Sequence, residues 1–188
     1  AYKKAIEINS RFGLAWFTKG FALGKLGKHE EAIKAYEKAI EINSQDVGAW
    51  FNKGIALSEL GRYEEAIEAY EKAIEIEAYE KNIEINPQFS LAYIAYTNLG
   101  ELFFKLGNLK KASENVEKAL NIDGELVSAL SLQGRIKIEE KGYDAASESF
   151  KQAMTLDPSN PIHFLWDIYA NYLKAEFSLD SEDKKYQE

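Results

Sequence analysis

The chain has 188 residues, of which 46% are hydrophobic and 29% charged, with a net charge of −8. This is enough material for one sizeable core, and no concentrated basic face is present to bind nucleic acid or an anionic membrane surface. The absence of cysteine excludes disulfides, thiolate nucleophiles and Cys-based zinc sites, and no apolar run reaches the about 18 residues that cross a bilayer.

Residues 1–12 read as the tail of a repeating unit. Tyr2, Ala5, Ile6, Ile8 and Asn9 align with Tyr36, Ala39, Ile40, Ile42 and Asn43. The chain is therefore expected to start inside a helix, as a fragment of a longer array. No leader peptide is visible, and a cytoplasmic location is expected.

The repeat itself shows in its spacing. Trp16 and Trp50 are 34 residues apart, as are Gly20 and Gly54, Gly27 and Gly61, Ala32 and Ala66, Gly100 and Gly134, and Ala112 and Ala146. A fixed period of this size marks a repeat array. Residues 13–46 form the first full unit and read as two helices. The first carries Leu14, Trp16, Phe17, Phe21, Leu23 and Leu26, and Gly27 ends it. The second, from about Glu30 to Ile42, places Ala32, Ile33, Tyr36, Ala39, Ile40 and Ile42 on one stripe. Gly20 and Ala32 are small enough for the two helices to approach closely, with Trp16 and Tyr36 filling the volume around them. One hairpin cannot bury its stripe alone, so units must stack.

The second unit spans 47–92 and contains an insertion. Gly54 and Gly100 are 46 residues apart, which is 34 plus 12. EAYEKAIEI at 68–76 is followed at once by EAYEKNIEI at 77–85, and AY occurs at 92–93 and again at 95–96. Nine residues are about 2.5 helical turns, so the second copy's stripe faces away from the first. With no Gly or Pro between 62 and 86, one long helix is expected, apolar on two faces. Ile74 and Ile85 share one side; Ile76, Tyr79 and Ile83 share the other. Three outcomes are open: a bend in the array, pairing of the extra face with another copy through Ile76, Tyr79 and Ile83, or a local bulge.

The third and fourth units span 93–126 and 127–160. Pro161 then suits a first helical position, and Ile162 to Phe177 reads as a capping helix carrying Phe164, Leu165, Trp166, Ile168, Tyr169, Tyr172 and Leu173. Residues 178–188 read as a polar, frayed tail.

These residues resemble the tetratricopeptide repeat, whose pattern is Trp-x-x-Leu-Gly-x-x-Tyr, then Ala-x-x-x-Phe, then Pro. The first unit offers Trp16, Lys19, Gly20, Leu23, Ala32, Tyr36 and Ala39; the second Trp50, Lys53, Gly54, Leu57, Ala66, Tyr70 and Ala73. The third offers Tyr96, Leu99, Gly100, Phe103, Ala112, Val116 and Ala119; the fourth Leu130, Gln133, Gly134, Lys137, Ala146, Phe150, Ala153 and Pro158. Lys53 for Leu, Ser44 for Pro and Lys137 for an aromatic depart from the pattern. The resemblance implies an all-α fold: a right-handed α-solenoid of antiparallel helix pairs. It would run as a single array over 1–177, disturbed by the lengthened helix between the second and third full repeats.

The resemblance also implies a concave groove lined by first helices, in which a protein or peptide partner lies. Its groove-facing residues would be Leu14, Phe17, Phe21 and Lys25, then Phe51, Asn52, Ile55 and Glu59. In the third and fourth units they would be Thr97, Asn98, Glu101 and Phe104, then Ser131, Arg135 and Glu139. Phe17, Phe21, Phe51 and Ile55 stand out because the core stripe does not require them; large apolar side chains on an open concave face mark a binding patch, unless neighbouring helices cover them. One subtype of the family grips the carboxylate terminus of heat-shock chaperones with a Lys/Asn/Arg clamp. Asn52 matches one clamp position, but Phe17, Phe21, Ile94 and Asn98 occupy the others, so an apolar or amphipathic segment fits better.

No catalytic constellation emerges. His29 lies in an inter-helix turn and reads as packing; His163 opens the last helix and reads as a cap or surface residue. Neither has a Ser or Cys at a motif spacing. The Glu pairs 30–31 and 64–65 recur with the repeat and suit helix N-termini. No phosphate loop is present. The expectation is a non-enzymatic scaffold with no cofactor and no metal, no nucleic acid and no membrane insertion, and with self-association through 62–86 or the Phe-rich groove as the alternative.

Overall fold

The computed structural model describes the backbone of residues 12–80 and 91–185 and the side chains of residues 12–78 and 91–178. Among the described residues there are nine α-helices and no strand. The chain divides into two compact units, residues 1–95 and 96–188.

Unit one holds α1 (Gly13–Lys25), α2 (His29–Ile42), α3 (Val47–Glu59) and α4 (Tyr63–Glu80). The turns within both pairs are built alike. Gly27 and Gly61 take φ of 72° and 74°, where a Cβ would be strained. The next N–H then reaches back to close the helix end: Lys28 donates to the Leu23 carbonyl and Arg62 to that of Leu57, each at 3.0 Å. Asp46 caps α3, its carboxylate accepting from the Ala49 N–H at 2.9 Å.

Close approach of the paired helices depends on glycine. A Cβ at Gly20 would lie 2.6 Å from the Tyr36 ring, and one at Gly54 would lie 2.8 Å from that of Tyr70. Tyr36, Ala32, Ala35 and Ala39 of α2, Leu23 of α1 and Ala49 of α3 form one buried cluster, with Trp16, Phe17 and Ile40 packed around it.

The helix α4 has 18 residues against 14 in α2. The expected continuation over 81–86, Ile83 with it, lies outside the described residues, as does the side chain of Tyr79. The three outcomes open for the insertion fall there too. Ile76, however, is only 7% exposed. It continues the buried stripe of Tyr70 and Ala73 at i+3 and i+6, which corrects its placement on an open second face.

Unit two carries most of α5 (Ala92–Lys105), then α6 (Leu109–Ile122), α7 (Val127–Glu139), α8 (Tyr143–Leu156) and α9 (Pro161–Lys185). Gly107 repeats the turn at φ 74°, and the Asn108 side chain accepts from the Lys111 N–H at 3.1 Å to cap α6. A Cβ at Gly134 would lie 2.5 Å from the Phe150 ring. The indole of Trp166 stacks on Phe150, centroids 6.1 Å apart and planes 17° apart, and Ala170 joins Phe150 and Ala146 in one buried cluster, so α9 packs against the preceding pair.

Two expectations for this region are corrected. The helix does not end at Phe177 but runs 25 residues to Lys185. Residues 178–185 contain no Gly or Pro, and Lys174 bonded to Asp144 at 2.5 Å holds the approach to them on α8. His163, expected as a cap or surface residue, is 3% exposed. Its position matches that of Ala129 one period earlier, which is also buried.

Candidate binding recesses in the two units

In unit one, α1, the start of α2, and α3 border an open recess of about 240 Å³. Phe21 and Lys25 form one wall, and Asn52, Ile55 and Glu59 the other, with His29 and Tyr36 between them. The i, i+4 spacing of Phe21 and Lys25 and the i, i+3, i+7 spacing of Asn52, Ile55 and Glu59 place each set on one helix face. Five of the residues predicted for the groove in this unit thus meet at one place.

The other three do not join them. Leu14 is exposed farther along α1. Phe17 is half-buried, its ring 6.0 Å from that of Tyr36 and packed against Gly48. Phe51 is 7% exposed, its ring 5.6 Å from that of Tyr70. The core does require Phe51, which corrects the reading of it as a free groove residue.

The wall is mostly apolar. Phe21 is 45% exposed and Ile55 37%. The Lys25 ammonium lies 5.5 Å from the centre of the Phe21 ring and so covers part of it. Asn52 spends one amide hydrogen on the Gly48 carbonyl of its own helix, at 2.8 Å, which leaves its carbonyl for the recess. Burial pushes the Tyr36 phenol up to about 12, so it is neutral at physiological pH.

In unit two, α5, α7 and α9 border a larger recess of about 490 Å³. Of the predicted residues, Phe104, Ser131, Arg135 and Glu139 line it. Arg135 forms a two-pronged ion pair with Glu101, at 2.8 and 3.3 Å, and its guanidinium lies 4.7 Å from the centre of the Phe104 ring. The three residues predicted separately therefore form one assembly in which the positive charge is already used. Thr97 is buried and Asn98 half-buried; neither lines the recess, and burial corrects the placement of Thr97 in the groove.

The remaining wall of this recess comes from Ile162, His163, Trp166 and Tyr169 of α9, with Ile138 of α7. Sequence reasoning assigned α9 to capping alone. The missed signal is the period: Pro161 stands 34 residues after Val127, the first residue of α7, so α9 takes the place of a further first helix. Ser131 Oγ donates to the Val127 carbonyl at 2.9 Å and is hydrogen-bonded with His163 Nδ1 at 3.0 Å. Among the described residues, no group of three or more His, Asp or Glu side chains could hold a metal ion, and no helix is long and apolar enough to cross a membrane.

Comparison with known proteins agrees with this architecture. Tetratricopeptide repeat profiles match residues 17–83, 93–125 and 127–160. The DnaJ protein P58IPK homolog A of Oryza sativa subsp. japonica is 32% identical over 85 residues, which are 45% of this chain and 18% of that protein. The small glutamine-rich tetratricopeptide repeat-containing protein 2 of Mycosarcoma maydis is 36% identical over 87 residues, 46% of this chain and 24% of that protein. The chain thus spans less than a quarter of the length of either relative. Among solved structures, YrrB, described as a TPR protein with an unusual peptide-binding site, superposes with a TM-score of 0.71. It is 23% identical over 93% of this chain and 84% of that one.

Proposed function

Because tetratricopeptide repeat profiles match most of its length, the chain belongs to the tetratricopeptide-repeat family, and we propose that it is a non-enzymatic scaffold holding an apolar or amphipathic peptide segment of a partner protein. The observation that carries this reading is the recess of unit one. Phe21 and Ile55 stay partly exposed there, at 45% and 37%, on facing walls, with Lys25 and Glu59 beside them. Pairs of exposed apolar anchors on a concave face are the usual centres of binding energy in a peptide groove. The peptide-binding site described for YrrB and the protein-interaction role of the family support the same reading.

The carboxylate clamp is disfavoured at its expected positions, where Phe17 and Phe21 stand in place of cationic or amide side chains and Asn52 gives one amide hydrogen to the Gly48 carbonyl of its own helix. The ligand is therefore an interior or amphipathic segment and not an acidic chain terminus.

Selection of a displayed random-peptide library on the immobilised chain tests the proposal. Apolar consensus peptides are expected. Phe21→Lys with Ile55→Lys should weaken their binding at least about tenfold while leaving the thermal transition in place, since both residues are exposed. Unchanged affinity in that double variant would remove the recess as the binding site. Phe51→Lys would not serve, because it buries a charge in the core.

A further inference from the structure

Helix α9 is apolar on two opposite faces, and only one is covered. Trp166, Ala170 and His163 turn inward, while Phe164, Leu165, Ile168 and Tyr172 are 56%, 61%, 49% and 58% exposed on the outer side. The positions of that outer stripe are spaced by three, four and three and are all uncharged, Leu165, Ile168, Tyr172 and Ala175, while Asp167 and Lys174 fall off the stripe. This is the seam spacing of paired helices.

In a regular repeat, the face in question would meet the second helix of the same unit. The position that permits this is glycine four times over, at 20, 54, 100 and 134, where even a Cβ would come within 2.5 to 3.0 Å of the facing side chain. One period on, the residue is Ile168. The inter-helix turn is missing too: α9 runs straight through Ala175, the position that follows Gly107 and Lys141 in the period. Helix packing of the repeat type is therefore closed to this face. A partner helix must sit farther off, at the spacing of interdigitated large side chains.

We propose that the outer face of α9 pairs with α9 of a second copy of this chain, antiparallel about a two-fold axis. An arrangement that sets Ile168 against Tyr172 of the second copy sets Leu165 against its Ala175, large beside small. The stripe is self-complementary because it carries no charge to repel its copy. Half-exposed side chains of this size offer about 100 Å² each, so the four large ones give roughly 400 Å². With Tyr169, Asn171 and Ala175 at the margins, the face approaches the roughly 600 Å² per partner of the smaller specific interfaces, enough for a reversible dimer. This surface is separate from the recess of unit one, and the pairing does not depend on peptide binding there.

Sedimentation velocity of the full 188-residue chain, over a concentration series reaching hundreds of micromolar, tests the pairing. The mass should climb from 21.3 kDa toward twice that value. Ile168→Glu with Tyr172→Glu should hold it at the monomer, with unchanged helicity and melting; the milder Leu165→Ser should weaken association about tenfold. Phe21→Lys with Ile55→Lys should associate as the original chain does. A constant 21.3 kDa would overturn the proposal and leave the face to another protein or another segment. Association that survives the α9 variants, or that is lost with the unit-one variant instead, would overturn it equally.

Discussion

The turn between α7 and α8 is the one place among the described residues where a side chain other than glycine is held at positive φ. Lys141, at 61°, stands where Gly27, Gly61 and Gly107 stand in the other turns, and Gly142 follows it, its N–H closing the helix on the Lys137 carbonyl at 2.8 Å. A left-handed backbone costs an ordinary residue roughly 1 kcal/mol or somewhat more. Lys141→Gly is therefore expected to stabilise the chain by about 1 kcal/mol in urea unfolding, less a small loss from the Lys141 ammonium over the Phe177 ring. The reverse sign is expected at Gly134→Ala. Helix propensity favours alanine by about 1 kcal/mol, but the new methyl would meet the fully buried Phe150 at 2.5 Å. Overpacking of that kind costs about 1–3 kcal/mol, so a net loss is predicted. The close-approach glycines were legible from their spacing; Lys141 was not, because Gly142 stands beside it and absorbs the turn signal. Lys53 looked like a departure from the repeat, yet its ammonium and that of Lys19 one period earlier lie 5.6 and 4.7 Å from the centres of the Trp50 and Trp16 rings, and Lys53 also bonds Glu37 at 3.0 Å. Tyr36 adds a pH dependence. Its phenol is raised by burial from 10.0 to about 12, so the folded chain keeps a proton that the unfolded chain releases. The associated stability is complete below pH 10 and is lost as pH climbs through about 12. Tyr36→Phe should flatten that part of the alkaline unfolding profile, and an unchanged slope would show that the titrating group lies elsewhere.

At the scale of elements, periodicity sorts residues around a helix but does not say how wide the covered arc is. That is why Phe51 and Ile76 were read as open and are core. Each lies at the edge of its stripe, and one further neighbour, the Tyr70 ring in the case of Phe51, is enough to cover it. The helix α9 shows the same limit from the other side. Its apolar residues outnumber what one face can bury, and only the structure tells which of them dock. Leu165 and Trp166 are adjacent in sequence and opposite in fate: Leu165 is 61% exposed, while Trp166 stacks on Phe150. Trp166→Ala should therefore cost about 3 kcal/mol, the lower end for removal of a large aromatic, since the ring is only half-buried. Leu165→Ala should shift stability by no more than about 0.5 kcal/mol when measured at dilution that keeps the chain monomeric. Equal effects from the two changes would mean that α9 is docked by a different face.

For the molecule as a whole, the fold was legible because one spacing, 34 residues, recurs through residues of unmistakable size: Trp, Gly and Ala at fixed places. The candidate site was legible only in part, because a groove residue is defined by what its neighbouring helices leave uncovered. Five unit-one residues meet around the smaller recess as read from their positions, while α9 supplies walls of the larger one that no motif announced. The charges bear on what either recess can hold. The chain carries −8 overall, Arg135 is already paired with Glu101, and the unit-one recess offers Lys25 against Glu59. Under the proposed peptide binding, apolar contact would provide most of the affinity, and apolar contact is insensitive to ionic strength, whereas exposed charge pairs are screened beyond about 10 Å at ordinary salt. A peptide selected on the chain should thus bind with a dissociation constant that changes less than about threefold between low and high salt, and an acidic peptide should bind slightly better at high salt as its repulsion from the chain is screened. Fluorescence titration at the two salt levels decides the matter. A steep loss of affinity with salt would mean that a charged grip, and not the exposed Phe21 and Ile55, holds the ligand.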